Sequence, residues 1–204
     1  ARGLGDVYKR QEIQRDVLRF LRRRLQRDAR LAARREQRLD LRLAQRAGVQ
    51  PHAVDAALEV GIRLFDHADI YARGKAESVF GELLKSEPRL REHLFIQTKC
   101  GIRLPGDPQG SKQGQYDYSR GHILHAVGNS LKRLQLETID LLLLHRPDPL
   151  VEPEEVARVF EELKQSGKVK EFGVSNHNPA QITLLLKCLP MPLKVNQVEF
   201  HLLH

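Results

Sequence analysis

The sequence predicts an α/β fold: a (β/α)8 TIM barrel, incomplete in this chain, with about five parallel strands and their flanking helices. Three observations predict it. From Pro51 onward, short apolar runs alternate with stretches whose apolar residues recur at helical spacing, the mark of repeated strand–helix units. Asp140 to Leu144 reads as a continuous apolar strand, as expected when both faces of a parallel sheet are covered. Several runs close on, or just before, a polar residue of chemical interest, and barrels keep their chemistry at the strand ends.

The elements follow in order. His52 to Val60 and Ala76 to Lys85 read as helices flanking a strand that begins at Arg63. Further strand-like runs begin at Leu94, Leu141, Val169 and Val195, which makes five. Ser119 is an N-cap for a helix whose Ile123, Val127, Leu131 and Leu134 share one face. Pro153 suits the first turn of a helix carrying Val156, Val159, Phe160 and Leu163, ended by Gly167. Asn178-Pro179 repeats that start signal before Ile182, Leu185 and Leu186. The chain stops at His204, soon after the fifth run, so the sheet is expected to stay open, with two unpaired edges.

With 204 residues the chain can bury one sizeable core. Its formal net charge is +8, but residues 1–46 hold fifteen Lys and Arg against six Asp and Glu. The remainder holds nineteen against twenty, so the basic excess lies wholly in the first segment. Residues 12–46 contain twelve arginines and no strand-like run. A nucleic-acid-binding helix is the weakest reading of that segment. A solvated or disordered arm is stronger, and translation in a shifted frame stronger still. Asp6-Val-Tyr-Lys-Arg-Gln11 looks like a translated library adapter, so residues 1–11 are set aside as an artefact. The expected organisation is thus 1–11 adapter-derived, 12–50 arginine-rich, and 51–204 a partial barrel.

Cys100 and Cys188 lack metal-ligand or redox-pair spacing, which fits reduced thiols and a cytoplasmic setting. Cys100 reads better as a small buried hydrophobe than as a reactive thiol. No apolar stretch approaches the ~18 residues of a membrane span. No metal site is indicated, and no G-x-G-x-x-G turn marks a Rossmann-type nucleotide site.

The chemistry lies in Asp66, Tyr71, Lys99 and His145, each closing or just following an apolar run. Reducing a carbonyl needs a hydride at carbon and a proton at the developing alkoxide. A neighbouring ammonium favours a phenolate and so makes a phenol a better proton donor, which Lys99 offers Tyr71 if their strands are neighbours. Asp66 then holds Lys99, and His145 orients the carbonyl oxygen. None of the four donates hydride, so a cofactor must carry it.

The strings FDHADIY, QTKCGI, LLLHRPDPL, PEEVARVFEELKQSGKVKEFGVSN and NQVEFH together resemble a bacterial branch of the aldo-keto reductases, from about Pro51 to His204. The resemblance implies that the five runs are strands two to six of the family barrel. It implies Tyr71 as general acid, Lys99 and Asp66 as its tuners, and His145 as carbonyl orienter. It places Ser175, Asn176 and Gln197 around a nicotinamide carboxamide, whose donor and acceptor their hydroxyl and amide groups can satisfy. The implied activity is reduction of an aldehyde or ketone with NADPH, NADH being left open, on a small carbonyl substrate. That activity belongs to a full-length parent, with this chain expected to be inactive alone. The alternative is a nicotinamide-binding regulatory module with little turnover, which a complete tetrad disfavours.

Overall fold

A computed structural model of the chain describes residues 51–107, 109 and 111–199. The expectations for residues 1–11 and 12–50 lie outside these.

The first unit is α1 (Pro51–Glu59) and β1 (Leu64–Asp66), followed by a 3-10 turn (Tyr71–Gly74) and α2 (Lys75–Ser86). A second 3-10 turn (Pro88–His93) leads into β2 (Phe95–Cys100). A hairpin of β3 (Ile102–Arg103) and β4 (Gln115–Tyr116) then precedes α3 (Arg120–Leu134). The remaining units are β5 (Ile139–Leu144), α4 (Pro153–Gln165), β6 (Val169–Ser175), α5 (Pro179–Cys188) and β7 (Leu193–Gln197).

The main sheet has the order β1-β2-β5-β6-β7, and each neighbouring pair is parallel. Because the strands run in one direction, their C-terminal ends share one rim. The sheet curls into part of a barrel. Phe95, Leu141, Leu143 and Val195 pack together on its inner face. Leu142, Leu144, Phe172 and Val174 point outward into a core shared with Val127, Val156, Phe160 and Leu185. Phe160 stacks on Phe172 with ring centroids 4.1 Å apart. The predicted helix face of Ile123, Val127 and Leu134 is buried, with Leu131 packed against the core.

Local signals explain where the helices start. Ser119 Oγ accepts the His122 backbone N–H at 3.3 Å, satisfying one of the donors a helix start leaves open. Asn178 and Gln181 form a reciprocal capping box, with bonds of 3.0 and 2.9 Å. Gly81 explains how α2 meets α3: a Cβ there would lie 2.0 Å from the Arg133 carbonyl oxygen. Only a glycine allows that approach.

Two expectations need correcting, and one feature is new. Leu186, placed on the apolar face of α5, is 37% exposed, while Leu185 carries the packing. Asp140 is fully buried inside what read as an apolar strand. Its carboxylate takes the Ile96 N–H at 2.9 Å, Arg91 at 2.9 Å and Lys170 at 2.7 Å. Burial pushes that carboxyl up, but these donors more than offset it and hold it below the usual range. The β3–β4 hairpin was not anticipated, because two-residue strands carry no periodicity. Cys100 is 1% exposed and burial drives its thiol pKa well up, as expected of a small buried hydrophobe. No helix among the described residues is long and apolar enough to cross a membrane.

Candidate active site

Three of the four predicted residues lie at or directly after a strand end, and the fourth, Tyr71, lies in the turn that follows β1. Asp66 is the last residue of β1, and Lys99 is the penultimate residue of the adjacent β2. His145 follows β5 directly and continues the ladder, its N–H bonding the Cys100 carbonyl at 3.0 Å. Tyr71 opens the 3-10 turn after β1, its N–H bonded to Ala68 O at 3.1 Å.

These side chains converge. The Lys99 ammonium is 2% exposed and lies 2.6 and 2.7 Å from the two Asp66 oxygens. It also donates to the His67 carbonyl at 3.1 Å and to the Tyr71 hydroxyl oxygen at 3.3 Å. Because the Tyr71 oxygen accepts from Lys99, its own proton is free to point elsewhere. The Tyr71 and His145 rings meet edge to face, with centroids 5.8 Å apart and planes at 78°. Tyr71 remains 40% exposed, so the hydroxyl sits at the mouth rather than in the core.

Asp66 organises the group. Besides Lys99 it accepts Gln97 Nε2 at 2.6 Å and Gln197 Nε2 at 3.0 Å. Burial pushes its carboxyl up, yet the bonds from Lys99, Gln197 and Gln97 and the ammonium charge hold it below the ordinary value. It is an anion at neutral pH. His145 is pushed the other way: burial first, then the charges of Lys99 and Arg146, lower it from 6.5 to about 4, with Asp66 opposing. It is therefore a neutral imidazole at physiological pH, and its buried Nδ1 has no hydrogen-bond partner among the described residues. A neutral ring can offer an N–H to a carbonyl oxygen without bringing a second cation beside Lys99.

Ser175, Asn176 and Gln197 end the next two strands or follow directly. Ser175 is buried, and its Oγ accepts Asn176 Nδ2 at 3.1 Å. Asn176 has a left-handed backbone, φ +56°, and its Oδ1 accepts the Glu199 N–H at 3.1 Å. Gln197 pairs with Ser175 across the two strands and its backbone carbonyl takes the Asn176 N–H at 2.8 Å, while its side-chain amide turns toward Asp66. Their hydroxyl and amide groups suit a planar carboxamide, which needs one donor set and one acceptor.

Two participants were missed. Gln97 faces the lumen two residues before Lys99, and the two-residue alternation of β2 could have found it. Glu77 is fully buried on α2, where it accepts Thr98 Oγ1 and Arg133 Nε at 2.6 and 2.7 Å. A polar residue on a helix carries no sequence signal for burial.

A curled parallel sheet with an Asp–Lys–Tyr–His cluster at its C-terminal rim defines a class, and comparison with known proteins finds the same one. The family model described as Aldo/keto reductase family matches residues 36–204, beginning ahead of Pro51, and the chain belongs to that family. Oxidoreductase YdhF of Escherichia coli K12 is 46% identical over 151 residues, covering 74% of this chain and 50% of that protein. A 6-dehydroglucose reductase of Agrobacterium fabrum is 42% identical over 151 residues, covering 74% of this chain and 51% of its own length. Among solved structures, the holo form of aldo-keto reductase AKR11C1 from Bacillus halodurans aligns with a TM-score of 0.62 at 34% identity. That alignment covers 72% of this chain and 46% of the other. The chain spans about half the length of the curated relatives it matches.

Proposed function

We propose that the complete barrel containing this segment reduces an aldehyde or ketone to an alcohol with a nicotinamide cofactor, and that Tyr71 donates the proton. The observation that carries this is the Lys99 ammonium within 3.3 Å of the Tyr71 oxygen while clamped by both Asp66 oxygens. When bound, the nicotinamide supplies the hydride. The residues of this chain do the rest. His145, held neutral, donates a hydrogen bond that fixes the carbonyl oxygen near the Tyr71 hydroxyl. Tyr71 delivers its proton to that oxygen as negative charge builds there. Lys99 stabilises the phenolate left behind, and Asp66 keeps the ammonium in place and balances its charge. Ser175, Asn176 and Gln197 are the groups we assign to the carboxamide, and Gln197 must exchange its bond to Asp66 to serve there.

NADPH is the cofactor we favour, on the family resemblance and on one structural relative. An aldo/keto reductase from Klebsiella pneumoniae, solved with NADP and acetate, aligns with a TM-score of 0.52 at 27% identity. The complete set of proton-transfer groups argues for turnover over a purely regulatory role, since a sensor needs no proton donor.

Tyr71→Phe tests the assignment. It keeps the ring and removes the proton, so kcat in the complete barrel should fall by about 10²-fold or more, the range for general-acid loss. Cofactor affinity should hardly change. Near-normal turnover by Tyr71→Phe would sink the assignment.

A further inference from the structure

The backbone that presents Tyr71 is unusual. The next three residues all have positive φ: Ala72 at +49°, Arg73 at +55° and Gly74 at +85°. L-residues seldom adopt this region, and two in succession persist only where surrounding contacts impose them. Within the turn, Arg73 N–H bonds Ile70 O at 2.9 Å, and the Lys75 N–H that closes it bonds the Tyr71 and Ala72 carbonyls. A side chain beneath the turn adds to these bonds.

Arg133, from α3, packs against Gly74 of the turn. A Cβ on Gly74 would lie 2.8 Å from both Arg133 Cδ and Nε. The guanidinium is held in turn by Glu77, with Nε and Nη2 each 2.7 Å from Oε2. The other Glu77 oxygen accepts Thr98 Oγ1 at 2.6 Å, and Thr98 is the residue before Lys99. The Arg133 backbone is fixed as well, since its carbonyl abuts Gly81 of α2. A continuous path of contacts thus runs from the turn at Tyr71, through the half-buried Arg133 and the fully buried Glu77, to the strand that carries Lys99. Asp69, in the connection before Tyr71, adds to it. Burial and the neighbouring Glu77 raise its carboxyl to about 7, and the Arg133 charge counters that rise.

We propose that Arg133 is a positioning residue for the carbonyl reaction: through Gly74 and Glu77 it holds the left-handed turn after Tyr71 in register with Lys99. The proposal rests on the reading of Tyr71 as proton donor. Arg133 lies outside the mouth cluster and touches no atom that reacts. It acts by keeping the phenol and the ammonium at bonding distance, a separation whose loss by even ~1 Å can cost up to 10²-fold in rate.

A double-mutant cycle in the complete barrel tests it. Arg133→Lys keeps the charge but loses the flat fork, and Thr98→Val removes the hydroxyl that ties Glu77 to β2. Each should lower kcat about tenfold with KM unchanged. In a Tyr71→Phe background each should have almost no further effect, because the group being positioned is gone. The same fold-loss in both backgrounds would mean a general structural role and would overturn the proposal. Full turnover by Tyr71→Phe alone would instead overturn the reading beneath it. If Arg133→Lys fails to fold, the Thr98→Val arm decides by the same criteria.

Discussion

At the scale of residues, the site depends on opposite shifts in two groups beside one ammonium. Asp66 is held charged and His145 is held neutral. The His145 shift has a consequence for stability. The unfolded chain takes up this proton near pH 6.5, whereas the folded chain resists until about 4. Stability present above 6.5 is therefore lost progressively as pH falls through that window, by on the order of 3 kcal/mol at most for this one ring. His67, His122 and His177 are shifted down by burial too and add in the same sense. Urea unfolding of wild type and His145→Gln between pH 7 and 4 should show a smaller acid loss in the variant. Equal losses would contradict the shift. Asp66, Lys99 and His145 were legible as candidates because each places a polar side chain at or just after the end of an apolar strand, and Tyr71 because it lies five residues beyond Asp66. Glu77 and Asp140 were not, because burial of a polar group depends on partners distant in sequence.

Among the elements, helix starts were the most legible features, since Ser119, Pro153 and Asn178 act within their own first turns. Faces were less so. Leu186 follows the helical spacing of α5, yet the sheet covers only the stripe through Leu185. The close approach of α2 to α3 also escaped a sequence reading, because Gly81 looks like any helical glycine until Arg133 is seen against it. Gly81→Ala should destabilise the chain by about 1–3 kcal/mol or more, as overpacking does where backbone cannot give way. A thermal or urea midpoint measures it, and a neutral result would mean that α2 and α3 can part cheaply.

For the whole molecule, the order β1-β2-β5-β6-β7 leaves β1 and β7 each paired on one side among the described residues. Five of the strands of a barrel were readable as apolar runs; how far the sheet curls was not, since curvature is a property of all strands together. The rim groups assigned above to a cofactor would address only the nicotinamide end of a dinucleotide. Fluorescence titration of residues 1–204 with NADPH should therefore give much weaker binding than the complete barrel. Tight, saturable binding by a monomer would show that the described residues suffice.

The Gln197–Asp66 bond joins the last strand of the sheet to the first, at 3.0 Å and 131 residues apart. Side by side in a flat sheet, these strands would lie four spacings, or ~19 Å, from each other. The bond therefore exists only when every intervening strand has docked and the sheet has rolled. Pairings of such high sequence separation form late, since chain closure must precede their reward. The ligation of Asp66 is thus a record of folding completed: a chain caught with β7 undocked would hold Lys99 and Tyr71 close, yet present a carboxylate short of one donor.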